Sequence, residues 1–336
     1  MKSDLETSVI EGLKTGDGSI ERALLAVSGL DEKGVGNYQQ KLDRMQQDFE
    51  QWHAERQGWW RKIRNAVLEK TEHHQYETAK ALFEYLWETK PNRYNDDFLL
   101  ANVIDNQLDN DLNKRVGNCL GLTSLYSVLG ARLSLEMAVL AEEGHILSLL
   151  SYDGQEIIVE NAKRIGFDYN LKERQRFQKR DLIFLVSDTF NSRGNAKSNL
   201  RDFAGAIPDY DKAIKLKPDY AFAFNNRGVA KDDLGDLAGA MQDYDKAIEL
   251  KPDYALAFYN RGIAKKNLGN LAGAMRDYDK AIELKPDYAL AFNNRGIAKI
   301  NLGDVEGARR DFKKAHELDP SLCKYSSHHR SEIRKV

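Results

Sequence analysis

Cysteine is almost missing from this chain. Two occur in 336 residues, Cys119 and Cys323. They cannot build a disulfide framework, so a reducing, cytoplasmic setting is expected and one of them becomes a candidate reactive thiol. A basic excess is also missing. Fifty Lys and Arg stand against 52 Asp and Glu, for a formal charge of -2, which argues against a general nucleic-acid binder while leaving a local patch open. No window approaches the roughly 20 apolar residues that span a bilayer. The opening MKSDLETSVIEGLKTGDG is too acidic and too weakly apolar for a signal peptide. No phosphate-binding loop is found, and the glycines at 34 and 36 read as part of a turn. The pairs His73–His74 and His328–His329 lack partner spacing, so no metal site is expected. DNQLDNDLN at 105–113 has the composition of a calcium loop but neither its sixth-position Gly nor its twelfth-position Glu. No cofactor is expected. What remains is 42% hydrophobic and 30% charged, the balance of a soluble globular protein. At this length two or three domains are expected.

The C-terminal part repeats itself. FNNRGVAKDDLGDLAGAMQDYDKAIELKPDYALA is followed by FYNRGIAKKNLGNLAGAMRDYDKAIELKPDYALA, with a similar copy on either side. Phe190, Phe224, Phe258 and Phe292 form one column, Gly194, Gly228, Gly262 and Gly296 a second, Pro218, Pro252, Pro286 and Pro320 a third, each stepping by 34 residues. This is the tetratricopeptide signature, which implies a pair of antiparallel helices per repeat, stacked into an all-α superhelix. Small residues such as Gly228, Ala240 and Ala247 let paired helices approach, Phe224 and Tyr244 fill the space between them, Leu250 fills the seam, and Pro252 stops the second helix. The four repeats span 187–321, followed by a polar, basic tail at 322–336 that is either a cap on the last repeat or disordered.

The repeats depart from the family in one respect. The family usually has an apolar residue before the repeat glycine and a large one three residues after it. Here those columns hold Arg193, Arg227, Arg261 and Arg295, then Lys197, Lys231, Lys265 and Lys299. Arg and Lys four apart share a helix face, and Asp209, Asp243, Asp277 and Asp311 recur with them. Two readings stand: a cross-helix Arg–Asp ladder, or a solvated face with buried alkyl stems.

The N-terminal part, 1–95, reads as a helical extension. Residues 3–28 hold one or two short helices broken at Gly16–Gly18, and the glycine-bearing GLDEKGVGN reads as a loop. A long helix is expected over 38–69, with Leu42, Met45, Phe49 and Trp52 on one stripe, Trp59, Ile63 and Val67 continuing it and Arg56 interrupting it. A second helix, 74–89, carries Ala79, Leu82, Phe83 and Leu86 and stops at Pro91. Residues 96–180 change character. A helix over 119–130 has Leu122, Leu125, Tyr126 and Leu129 on its apolar face. LEMAVLAE, HILSLLSY and QEIIVEN then read as strands, with Asp153–Gly154 as a hairpin turn. This segment is expected to be α+β, joined to the first repeat by DLIFLVSDTF with almost no linker.

Its chemistry gathers on three residues. Cys119 opens a helix, where free amides and the helix dipole favour a thiolate. His145 follows by 26 residues at a strand start, after the turn at 142–144, and Glu160 by a further 15 on the next strand. A thiol, an imidazole base and a group that orients the imidazole are the parts of cysteine acyl chemistry. A two-residue turn at Asp153–Gly154 makes paired positions sum to 307 and sets Glu160 diagonally across from His145 on one face. A three-residue loop would put Asn161 there instead. The Cys119 backbone amide, with a side chain such as Gln107 or Asn118, is the candidate oxyanion donor.

The run RVGNCLGLTSLYSVLGARLSL, then GHILSLL, then IIVENA, resembles the transglutaminase-like superfamily over about 95–175. The resemblance implies an α+β domain with Cys119 as nucleophile, His145 as base and Glu160 at the position the family fills with Asp. Leu147 stands where the family commonly has an aromatic residue two after the His. Some relatives carry tetratricopeptide repeats after such a domain, and some have lost the triad and act as binding domains. In the repeats, the resemblance implies a concave face lined by the first helix of each pair. It points Asn191, Asn225, Asn226, Tyr259, Asn260, Asn293 and Asn294 there, with Asn267 and Asn301 on the next turn. Amides both donate and accept, which suits an extended peptide backbone. No Lys/Arg cluster marks a carboxylate clamp. Two functions follow as expectations. In the first, a protein- or peptide-binding array, with no nucleic-acid or membrane partner, is fused to a cysteine hydrolase or acyltransferase. In the second, the protein is a non-catalytic scaffold.

Overall fold

The structure, a computed structural model, describes residues 2–64, 74–91, 93, 96–109, 111, 115–142, 145–163, 166–167 and 177–322. The tail, Cys323, His73, the His328–His329 pair, Val67 and the side chains of Trp59 and Ile63 lie outside them. The chain forms two compact units, Met1–Ser192 and Arg193–Val336.

In the first unit, α1 (Lys2–Thr15) and α2 (Ile20–Val27) flank the Gly16–Gly18 break. Helix α3 runs from Glu32 to Arg64. It starts earlier than the stripe suggested, because the supposed glycine loop is its first turn. Asp31 begins it, its carboxylate accepting from Gly34 N at 2.8 Å and its carbonyl from Val35 N at 2.8 Å, an N-cap. Leu42, Met45 and Phe49 are buried as a stripe requires. Arg56 interrupts the stripe without leaving it, since its guanidinium lies 4.2 Å from the Trp52 ring centre and pairs with Glu88 at 2.5 Å. Helix α4 (His74–Thr89) buries Ala79, Leu82, Phe83 and Leu86. A short α5 (Leu100–Leu108) absorbs the start of the acidic 105–113 stretch.

Helix α6 (Cys119–Arg132) is the centre of the unit. Every residue from Leu120 to Gly130 is buried, so it has no solvent face and its apolar stripe understates its role. Small residues make this possible. A Cβ on Gly121 would sit 2.6 Å from Val103 Cγ2 of α5 and 2.8 Å from the Asp97 carbonyl. Tyr126 donates to the Ala79 carbonyl of α4 at 2.8 Å. At the far end Arg132 pairs with Glu21 of α2 at 2.5 Å and Asp43 of α3 at 2.6 Å.

The sheet is antiparallel, in the order β3 (Gln155–Val159), β2 (His145–Tyr152), β1 (Met137–Glu142), β4 (Gln178–Arg180). Asp153 (φ 46°) and Gly154 (φ 70°) both take the left-handed conformation of a type I′ turn. Pairing therefore runs Tyr152↔Gln155 to Ser148↔Val159, the register of a two-residue turn. Strand β2 is buried from Ile146 to Leu150. Leu147 and Leu149 pack with Leu140, Ile158 and Phe177, while Leu150 packs with Ile157, Ala79 and Leu135. Strand β4 was not expected. Its sequence, QKR, has no apolar alternation, and it is a short charged edge.

The repeats begin on α7 (Ile183–Asn199) and continue as α8 (Phe203–Leu216), α9 (Ala221–Asp233), α10 (Leu237–Leu250), α11 (Ala255–Asn267), α12 (Leu271–Leu284), α13 (Ala289–Asn301) and α14 (Val305–Leu318). Each second helix is capped alike: Asp202, Asp236, Asn270 and Asp304 accept from the N–H of Gly205, Gly239, Gly273 and Gly307. The repeat glycines do as expected. A Cβ on Gly194, Gly228 or Gly262 would lie 2.6 or 2.7 Å from the ring of Tyr210, Tyr244 or Tyr278, and one on Gly296 2.8 Å from Phe312.

The Arg and Lys columns form a buried ladder. Arg227 holds Asp243 with two bonds, Nε at 2.9 Å and Nη2 at 2.6 Å, and Lys231 takes the carboxylate at 2.8 Å. Arg193 and Lys197 hold Asp209, Arg261 and Lys265 hold Asp277, and Arg295 and Lys299 hold Asp311. The four aspartates are 1–4% exposed, so the reading of a solvated face is overturned. The remaining Nη1 of Arg227, Arg261 and Arg295 reaches back one repeat, to Asp211, Asp245 and Asp279, at 2.6–2.7 Å. Each arginine thereby fastens its own helix pair and the pair before it.

Candidate functional site

In the first unit the three chemistry-bearing residues come together from three segments. Asn118 caps α6, its side-chain oxygen accepting from Gly121 N at 3.0 Å. This places Cys119 at the first helical position, half-exposed. His145 opens β2, half-buried, in a T-shaped contact with the Phe177 ring at 5.9 Å between ring centres. Glu160 follows directly on β3 and is 1% exposed. His145 Nε2 and Glu160 Oε2 are 2.8 Å apart, and Glu160 Oε1 accepts from Ala162 N at 3.2 Å. Cys119 lies close enough to the imidazole to act on its charge. The neighbouring Cys119, then the bond to Glu160, push the His145 pKa up to about 10 against the opposing effect of burial.

Asn161 turns the other way. Its amide donates to Ser148 Oγ at 2.8 Å and approaches Thr123 Oγ1 at 3.4 Å, so it belongs to the interior between α6 and β2. Gln107, a candidate oxyanion donor, is likewise spent. It donates to Thr89 Oγ1 at 2.9 Å and accepts from Arg93 at 3.1 Å, inside a buried knot between α4 and α5.

In the repeat unit the amide column is partly interior. Asn225 is 1% exposed and accepts from Asn260 at 2.9 Å. Asn226 donates to Asn195 at 3.0 Å and Asn294 to the Tyr259 hydroxyl at 2.8 Å. Asn191, in the first unit, is buried too. Asn226, Asn260 and Asn294 remain half-exposed, while Asn225 serves as the rung between neighbouring helices. Near-identical repeats hide this distinction, because an Asn at either position looks the same in sequence.

Comparison with known proteins bears on this second unit. Residues 187–220 and 289–322 match models of the tetratricopeptide repeat, and 233–269 and 265–303 match a model of the same repeat type. No curated protein matches the chain. Among solved structures, MamA is 27% identical, covering 41% of this chain and 81% of its own, with a TM-score of 0.38. The first repeat domain of Spaghetti (RPAP3), bound to the HSP90 peptide SRMEEVD, is 27% identical, covering 35% and 93%, with a TM-score of 0.34. MamA from Desulfovibrio magneticus RS-1 is 24% identical, covering 40% and 76%, with a TM-score of 0.37. Among the described residues no helix is long and apolar enough to cross a membrane. The C-terminal helix pairs of this chain are a tetratricopeptide-repeat solenoid, an architecture that serves protein–protein interaction.

Proposed function

We propose that the first unit carries a transglutaminase-like cysteine acyl-transfer site acting on a peptide or amide bond, and that the repeats recruit the protein partner. The observation that carries this reading is the chain of contacts from Cys119 to His145 to the buried Glu160. Glu160 occupies Nε2, so Nδ1 is the nitrogen open to the thiol. The imidazole holds a proton beside the sulfur, which favours a thiolate–imidazolium pair. The thiolate attacks an amide carbonyl, and the oxyanion meets the N–H groups at the start of α6. Gly121 N is already used by the Asn118 cap, which leaves the Cys119 and Leu120 N–H groups of the first turn as the candidate donors. The C–N bond breaks as His145 gives its proton to the leaving amine, and a thioester remains. Water or an acceptor amine then attacks, His145 takes its proton, and the acid or new amide departs as the thiolate is restored. Glu in place of Asp is accommodated because the longer side chain is anchored by Ala162 N at 3.2 Å.

Selective alkylation tests this. In a Cys323→Ser background, iodoacetamide is expected to modify Cys119 rapidly well below the free-thiol pKa of about 8.5, and His145→Ala is expected to abolish that. Slow alkylation indifferent to His145 leaves the scaffold reading, in which the repeats act alone.

A further inference from the structure

Cys119, His145 and Glu160 sit on separate elements, and their mutual distances depend on how α6 lies against β2. Directly behind them is a second polar cluster that touches none of the reacting groups. Thr123, one turn after Cys119, donates to the carbonyl of Ile146, the neighbour of His145, at 3.2 Å. Asn161, the neighbour of Glu160, donates to Ser148 Oγ at 2.8 Å and approaches Thr123 Oγ1 at 3.4 Å. Ser148 and Ser127, one turn further along α6, share a bond at 3.1 Å. Thr123, Ser127 and Ser148 are 0% exposed and Asn161 is 3%.

Asn161 is next to Glu160 and Thr123 is one helical turn from Cys119, while Ser148 lies three residues along β2 from His145 and Ser127 two turns along α6 from Cys119. The cluster lies in the interior between α6 and β2, where Leu120 to Gly130 and Ile146 to Leu150 are all buried, so apolar residues of similar size would fill the same space without the desolvation cost of an amide and three hydroxyls. What hydrogen bonds supply here and leucines do not is a fixed register between helix and strand. We infer that Asn161 is a positioning residue which, through Thr123 and Ser148, fixes the start of α6 against β2 and so holds the Cys119 sulfur opposite His145. This inference rests on the acyl-transfer reading of the triad.

The test uses the full chain with Cys323→Ser and follows iodoacetamide alkylation from pH 4 to 10. Asn161→Leu and Thr123→Val are compared with Thr123→Ser, which keeps the hydroxyl, and with His145→Ala. Thermal melting is recorded for each, since a purely structural role would lower the melting temperature without moving the pH profile. The parent midpoint is expected below about 8.5. Asn161→Leu and Thr123→Val are expected to raise it by about one pH unit or more, a tenfold loss of thiolate at pH values below both midpoints, and Thr123→Ser to restore it. If Asn161→Leu does not fold, the near-isosteric Thr123→Val and Ser148→Ala carry the comparison. Unmoved midpoints in folded variants, beside a parent that still depends on His145, overturn the positioning role and leave the triad intact. A parent midpoint near 8.5 that ignores His145→Ala overturns both.

Discussion

In the repeats, Asp209, Asp243, Asp277 and Asp311 are buried at 34-residue intervals, and each meets the same Arg and Lys. In the first unit Glu160 is buried once and meets His145, whose side chain is 36% exposed. The two carboxylates are equally hidden but differently partnered. The repeat aspartates face guanidinium and ammonium groups that stay charged at any physiological pH, so their pairs can only hold helices together. The Glu160 partner is an imidazole with a thiol beside it, a group that can release and recover a proton. Periodic buried charge therefore reads as assembly, whereas the pairing of Glu160 with His145 is the one on which the proposed chemistry draws.

The largest effect expected from breaking this contrast is on the ladder. Asp277→Ala leaves Arg261 and Lys265 without their shared partner and should cost about 3 kcal/mol. Asp245→Ala removes only the outward contact of the same Arg261, to a side chain 59% exposed, and should cost less than about 1 kcal/mol. Urea unfolding of the full chain, followed by circular dichroism, separates the two. Equal costs would mean that burial is not what makes the ladder matter.

Next in size is the packing that the ladder overlies. In Gly262→Ala the new methyl would fall 2.6 Å from the Tyr278 ring, and neither helix can move without disturbing its neighbours. About 1–3 kcal/mol should be lost, measured in the same unfolding experiment. Gly262→Ala paired with Tyr278→Leu should recover part of that loss. Failure to recover would show that the glycine serves its backbone and not the ring.

The same contrast explains what was legible beforehand. A 34-residue period fixes the helix pairs because the same small and large residues must meet in each copy, and Gly262 against Tyr278 is one instance. The hairpin register was also readable, since Asp153–Gly154 admits a two-residue turn and everything to Glu160 follows by counting. The ladder was harder. Arg227 and Asp243 are 16 apart, and only the packing of α9 on α10 decides whether Asp243 sees water. For the same reason the buried rung at Asn225 resembled its half-exposed neighbour Asn226. The start of α3 was missed because two glycines suggested a loop, although Asp31 three residues before Gly34 was a cap in plain view. The nearness of Cys119 to His145 depends on α6 lying across β2 through Thr123 and Ser127, contacts with no local signature.

The smallest expected effect is a change in the slope of stability against pH, and it sharpens the difference between the two carboxylates. Folding raises the His145 pKa from 6.5 to about 10. Below 6.5 the imidazole is protonated in both states and its contribution is complete. Between 6.5 and 10 the unfolded chain has released the proton and the folded one still holds it, so stability falls as pH rises, and above 10 the contribution is gone. The groups facing His145 are Cys119, Glu160 and, across the β1–β2 register, Glu142. His145→Gln removes the proton exchange, so the variant should lose less stability than the parent between pH 6.5 and 10. Urea midpoints at pH 6, 8 and 10 for the two proteins measure it. Parallel pH dependence would mean that the imidazole does not keep its proton in the folded state, and would remove the ground for treating Glu160 differently from the repeat aspartates.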